Sequence, residues 1–116
     1  MIRDCVSPDG ALRFLVRAPD GDLTMGFDGC PSHTHGDLLA IAPETPEEAT
    51  ERYVNDLISN KLIIAVAMVN GKIRDIWITD DPSGDLRYCP PDETIVFRLW
   101  DGTILPHPAP ALTKKL

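Results

Sequence analysis

The chain is short of positive charge, with 11 Lys and Arg against 18 Asp and Glu and a net charge of −7. Nucleic acid and anionic membrane surfaces both need a basic footprint, so neither is expected as a partner. Long apolar runs are missing too. The longest, Leu62 to Val69, is far too short to cross a bilayer. No Cys-x-x-C pair occurs. The 3 cysteines, Cys5, Cys30 and Cys89, lie far apart, an odd count that fits reduced thiols and small core fillers rather than a disulfide framework. The first residues, from Met1 to Cys5, lack the basic-then-apolar layout of a signal peptide. The expectation is a cytoplasmic protein. There is no G-x-S-x-G elbow, no P-loop and no dinucleotide glycine fingerprint. No catalytic set is legible, and the expectation leans away from an enzyme.

What remains is the material of one domain. The 116 residues are 43% apolar, too apolar for a disordered chain and long enough for one real core. Lys61 is followed by apolar residues from Leu62 to Val69, then by Asn70-Gly71, then by a second run from Lys72 to Asp80. A strand apolar on both faces belongs in the middle of a sheet. Asn-Gly between two such runs predicts a hairpin, because both turn residues must take positive φ. Upstream, Ser7 to Gly10 reads as a turn. Leu12, Phe14 and Val16, then Leu23, Met25 and Phe27, alternate along two strands of a first hairpin.

Thr45-Pro46-Glu47-Glu48 reads as a helix start, with Thr45 as cap, Pro46 at the first position and Glu48 closing a capping box. Ala49, Tyr53, Val54, Leu57 and Ile58 give that helix one apolar stripe, and Asn60 can end it in a left-handed conformation. Residues 80–85 read as a loop and Leu86 to Tyr88 as a short extended piece. A last strand is expected from Glu93 to Trp100, then a turn at Asp101-Gly102. The fold class expected is α+β: a single domain over residues 1–105, in the order β-β, short α, α, β-β, β. Its mostly antiparallel sheet has about five strands, with one main amphipathic helix on one face. Residues 106–116, rich in proline, are expected either as an extended arm or as a disordered one. Trp77 and Trp100 are expensive to leave bare, so the other face of the sheet needs cover, a homodimer being one way to supply it.

Two groups of residues could carry chemistry. In an extended segment His33, His35 and Asp37 point to one side, and with Asp28 they make a reasonable ligand set for zinc or another divalent ion. An open position there could hold an activated water for hydrolysis. The competing structure is a short helix within residues 34–42, with Thr34 as cap, Asp37 in the first turn, and Leu38, Leu39, Ile41 and Ala42 buried. On a helix the two histidines diverge and the ligand set fails. The second group is Asp75, Asp80, Asp81 and Asp85. It does not match a calcium loop, and ordinary turn chemistry explains most of it. As an acidic patch it could receive Arg or Lys from a partner. Asp75 breaks the alternation of its strand, which marks either a bulge or a solvent face.

Two functions follow as expectations. The first is a small acidic protein-binding module that occupies a basic surface of a partner protein. Small immunity proteins and inhibitors share its size, its acidity and its lack of catalytic motifs. The second is a metal-binding protein or metal-dependent hydrolase centred on His33, His35 and Asp37. No resident cofactor is required by the first.

Overall fold

The inner strand of Ile63–Val69 is buried on both sides, as its unbroken apolar run requires. The molecule is known from a computed structural model that describes residues 2–107. Its elements in chain order are β1 (Arg3–Val6), β2 (Arg13–Arg17), β3 (Thr24–Phe27), β4 (His33–His35), α1 (Gly36–Leu39), α2 (Pro46–Ile58), β5 (Ile63–Val69), β6 (Lys72–Thr79), α3 (Pro82–Arg87), β7 (Glu93–Arg98) and β8 (Ile104–Leu105). It is an α+β domain with two four-stranded antiparallel sheets, in strand orders β1-β2-β3-β4 and β6-β5-β7-β8.

Alternation along β5 divides the core. Ile64 and Val66 join Phe14, Val16, Met25 and Phe27 of the first sheet, together with Val54 and Leu57 of α2. Ala65 and Ala67 point the other way, onto a face they share with their cross-strand neighbours Ile95, Phe97 and Trp77, and Leu86 of α3 packs against it. The β5–β6 turn places Asn70 at φ 52° and Gly71 at φ 76°, the left-handed pair that the Asn-Gly signal predicts. The first hairpin is also as expected. Phe14 meets Phe27 edge to face across β2 and β3, with ring centroids 5.1 Å apart.

The α2 helix begins as its sequence demands. The Thr45 hydroxyl accepts from Glu48 N–H at 3.1 Å, and the Glu48 carboxylate accepts from Thr45 N–H at 2.8 Å. Its buried face is Ala49, Thr50, Val54 and Leu57, while Ile58, expected in the stripe, is 43% exposed. Asn60 follows at φ 62°. α1 lies against α2 through Gly36. A Cβ there would stand 2.8 Å from Thr50 Oγ1 and 3.0 Å from the Pro46 carbonyl.

Five expectations need correction. Among the described residues the strands number eight in two sheets, not about five in one. β1 was not expected before the Ser7–Gly10 turn. Its Asp4–Arg13 ion pair and its pairing with β2 supply what its sparse pattern lacks. Pro82–Arg87 form a helix where a loop over 80–85 and an extended piece from Leu86 to Tyr88 were expected, with Asp81 accepting from Gly84 N–H at 3.1 Å and Pro82 opening the first turn. Thr34 caps nothing. It lies in β4 opposite Met25, and the residue before α1 is His35, whose side chain makes no cap bond. Strand pairing with β3 outweighs the capping preference, and α1 shrinks to four residues, leaving Leu38 and Ile41 exposed. Finally, residues 104–105 pair with β7 as β8, and His107 donates its Nε2–H to the Ile95 carbonyl at 2.8 Å while its ring packs on Phe97. The expected arm therefore begins docked; residues 108–116 lie outside the described part. Among the described residues no helix is long and apolar enough to cross a membrane.

Candidate functional site

Four aspartates were expected to act together, and the structure separates them. Asp75 is not on a solvent face. It is 6% exposed and accepts from Ser32 N–H at 3.1 Å, from the Ser32 hydroxyl, and from its neighbour Ile76 N–H at 2.9 Å. The reason is a bulge. Asp75 faces Ala67 but Ile73 faces Met68, so Arg74 is the extra residue and the alternation resets beside it. Asp75 thus fastens the loop before β4 to the edge strand of the second sheet. It is a structural pin and does not belong to an acidic patch.

Asp81 and Asp85 stand elsewhere, Asp81 as the cap of α3 and Asp85 within it. Together with Trp77, Tyr88, Asp92 and Glu93 they line an open groove of about 820 Å³ between α3 and the ends of β5, β6 and β7. Trp77 donates its indole N–H to Asp85 Oδ2 at 3.4 Å. Glu93 is buried and held by Arg74 on the groove wall. Tyr88 projects from the end of α3, 79% exposed, with the Arg87 guanidinium 5.8 Å from its ring centroid. Asp80 is exposed beside the groove but does not line it. Tyr88 and Asp92 were not singled out by the sequence, and Trp77 was named only as a side chain that needs cover. The signal that could have found the groove is Asp81-Pro82, the same cap-then-proline start that marks α2.

Five arginines are neutralised locally: Arg3 by Glu51, Arg13 by Asp4, Arg52 by Glu44, Arg74 by Glu93 and Arg98 by Asp9. Among the described residues none of these pairs reaches Asp80, Asp81, Asp85 or Asp92. Their charge is left for solvent or a ligand.

The histidine segment is extended, so His33 and His35 do share a face of β4. Their ring centroids lie 5.2 Å apart. The carboxylates expected beside them are elsewhere. Asp28 stands 3.5 Å from Arg13, and Asp37 is carried off into the first turn of α1. Instead Asp22 reaches His35 Nδ1 at 3.1 Å. Among the described residues no three or more His, Cys, Asp or Glu form a group that could hold a metal.

Nucleophiles are poorly prepared. Burial pushes the thiols of Cys5, Cys30 and Cys89 up, away from the reactive thiolate. Burial against the core pushes the Tyr53 hydroxyl up to about 12, and this side chain packs 6.5 Å from Phe14. Compared with family models, with curated proteins and with solved structures, the chain gives no match.

Proposed function

We propose that this chain is a small acidic protein-binding module of the immunity or inhibitor kind, which takes a basic segment of a partner protein into the α3 groove. The observation that supports the reading is the lining itself. Asp81, Asp85 and Asp92 carry negative charge to a concave surface that also holds Trp77 and Tyr88. Carboxylates accept bidentate hydrogen bonds from guanidinium groups, and aromatic faces attract the same cation. The net charge of −7 adds long-range attraction for a basic partner and speeds encounter more than it tightens the final complex.

The test is capture from the native host by two proteins, the wild type and a Tyr88→Ala/Asp92→Lys variant. Both substitutions fall on exposed side chains. A basic protein retained by the wild type, lost by the variant and bound more slowly as salt rises supports the reading. A partner held equally by both proteins, or one whose association rate ignores salt, sinks it.

A further inference from the structure

We infer that His33 and His35 form a bidentate site for a divalent transition-metal ion on the exposed edge of the first sheet. Among the described residues β4 is the last strand of that sheet, so the two imidazoles stand on an edge with no further described strand beside it. The site differs from the one the sequence suggested: neither Asp28 nor Asp37 takes part.

Three features carry the inference. The first is which nitrogen is free. His33 Nδ1 lies 3.1 Å from the Pro31 carbonyl oxygen, which can only accept a hydrogen bond. His35 Nδ1 lies 3.1 Å from a carboxylate oxygen of Asp22, again an acceptor. In neutral imidazole both protons therefore sit on Nδ1, and both lone pairs sit on Nε2. The second feature is the outer shell. A histidine that ligates a metal through one nitrogen commonly donates its other N–H to a backbone carbonyl or a carboxylate, which orients the ring and raises its basicity. Both histidines have such a partner, and Thr24 Oγ1 lies 3.2 Å from the same His35 nitrogen.

The third feature is spacing. Two imidazoles sharing one tetrahedral ion through Nε2 have ring centres about 5.1 Å apart, given metal–nitrogen bonds of about 2.0 Å and a ring radius of about 1.1 Å. The observed separation is 5.2 Å, with the rings at 86° to one another. Imidazole pairs suit copper, nickel and zinc, with copper(II) bound most tightly of these. Two protein ligands leave the remaining positions to water or to a donor from another molecule.

Titration of tag-free, chelator-washed protein with zinc, followed by heteronuclear NMR of the imidazole nitrogens, tests the site. One zinc-dependent process should move both Nε2 resonances and leave both Nδ1 protons in place. His33→Ala and His35→Ala should each abolish the chelate and weaken binding by at least about tenfold, and Asp22→Asn should weaken it by about ten- to a hundredfold without changing the stoichiometry. His107→Ala and Cys89→Ser should leave it unchanged. Zinc binding that survives His33→Ala and His35→Ala, a response through Nδ1, or no imidazole response at all would overturn the assignment.

Discussion

Asp9, in the turn that follows β1, holds Arg98 at the end of β7: Asp9 Oδ2 lies 2.9 Å from Arg98 Nη1. The guanidinium is buried, and its other nitrogens donate to the carbonyls of Leu99 at 3.0 Å and Trp100 at 3.1 Å. One ion pair therefore fastens a turn of the first sheet to a strand of the second. The Arg98 guanidinium beside Asp9, helped by the Ser7 hydroxyl and the Ala11 N–H, holds the Asp9 carboxyl well below the usual carboxylate range. A carboxylate depressed in the folded state contributes stability that is fully present above its unfolded value of about 3.9 and is lost as pH falls through the folded one. Urea midpoints of the wild type should fall as pH drops below about 4, and those of Asp9→Asn should fall less. Parallel pH curves for the two proteins would show that the pair contributes nothing.

The Ser32–Asp75 contact makes a second link, between the loop before β4 and β6. Ser32→Ala should cost about 2 kcal/mol, the range for a hydrogen bond to a charged acceptor. Asp75→Ala should cost more, because it takes the acceptor from both the buried Ile76 N–H and the half-buried Ser32 N–H. The double variant should be less damaged than the sum, since both changes break one network. Chemical denaturation of the three variants checks this ranking, and strict additivity would mean that the two residues act independently.

In α2 the capping box is complete, so its members should be coupled. Thr45→Ala should cost roughly 1 kcal/mol and Glu48→Ala less, with a measurable interaction energy in the double-mutant cycle. Zero interaction energy would reduce the box to two independent contacts.

Gly71 and Gly36 are needed for different reasons, and substitution separates them. At Gly71 an added Cβ meets nothing within 4 Å, so the cost of Gly71→Val is backbone strain alone, about 1–2 kcal/mol. Gly71→Asn should recover most of it, because asparagine tolerates the left-handed region. At Gly36 the obstacle is Thr50 and the Pro46 carbonyl. Gly36→Ala should cost about 1–3 kcal/mol as overpacking, and Gly36→Asn should be worse. Thermal melts of the four variants are sufficient. Rescue by asparagine at both positions would contradict the distinction.

Local chemistry determined a good part of this protein. The Asn70-Gly71 turn, the Thr45–Glu48 box, the Asn60 stop and the alternation of β2 and β3 each depend on a few neighbouring residues, and each is where the sequence puts it. The two-faced burial of β5 was legible because an unbroken apolar run has no polar face to show solvent. Tertiary structure decided what depends on distant partners. Short segments such as β1, β4 and β8 have too few residues for a periodic signal, and hydrogen bonds to β2, β3 and β7 make them strands. Asp75 could be a surface charge or a buried pin until Ser32 arrived from 43 residues away to receive it. The candidate sites fall on the same divide. Residue types and spacing put His33 and His35 on one face, but Asp22 came to them through strand pairing, and Trp77, Tyr88 and Asp92 met Asp85 only when α3 folded over the second sheet. Spacing along a chain sets the direction of a side chain within its own element, whereas which side chains converge depends on how the elements pack.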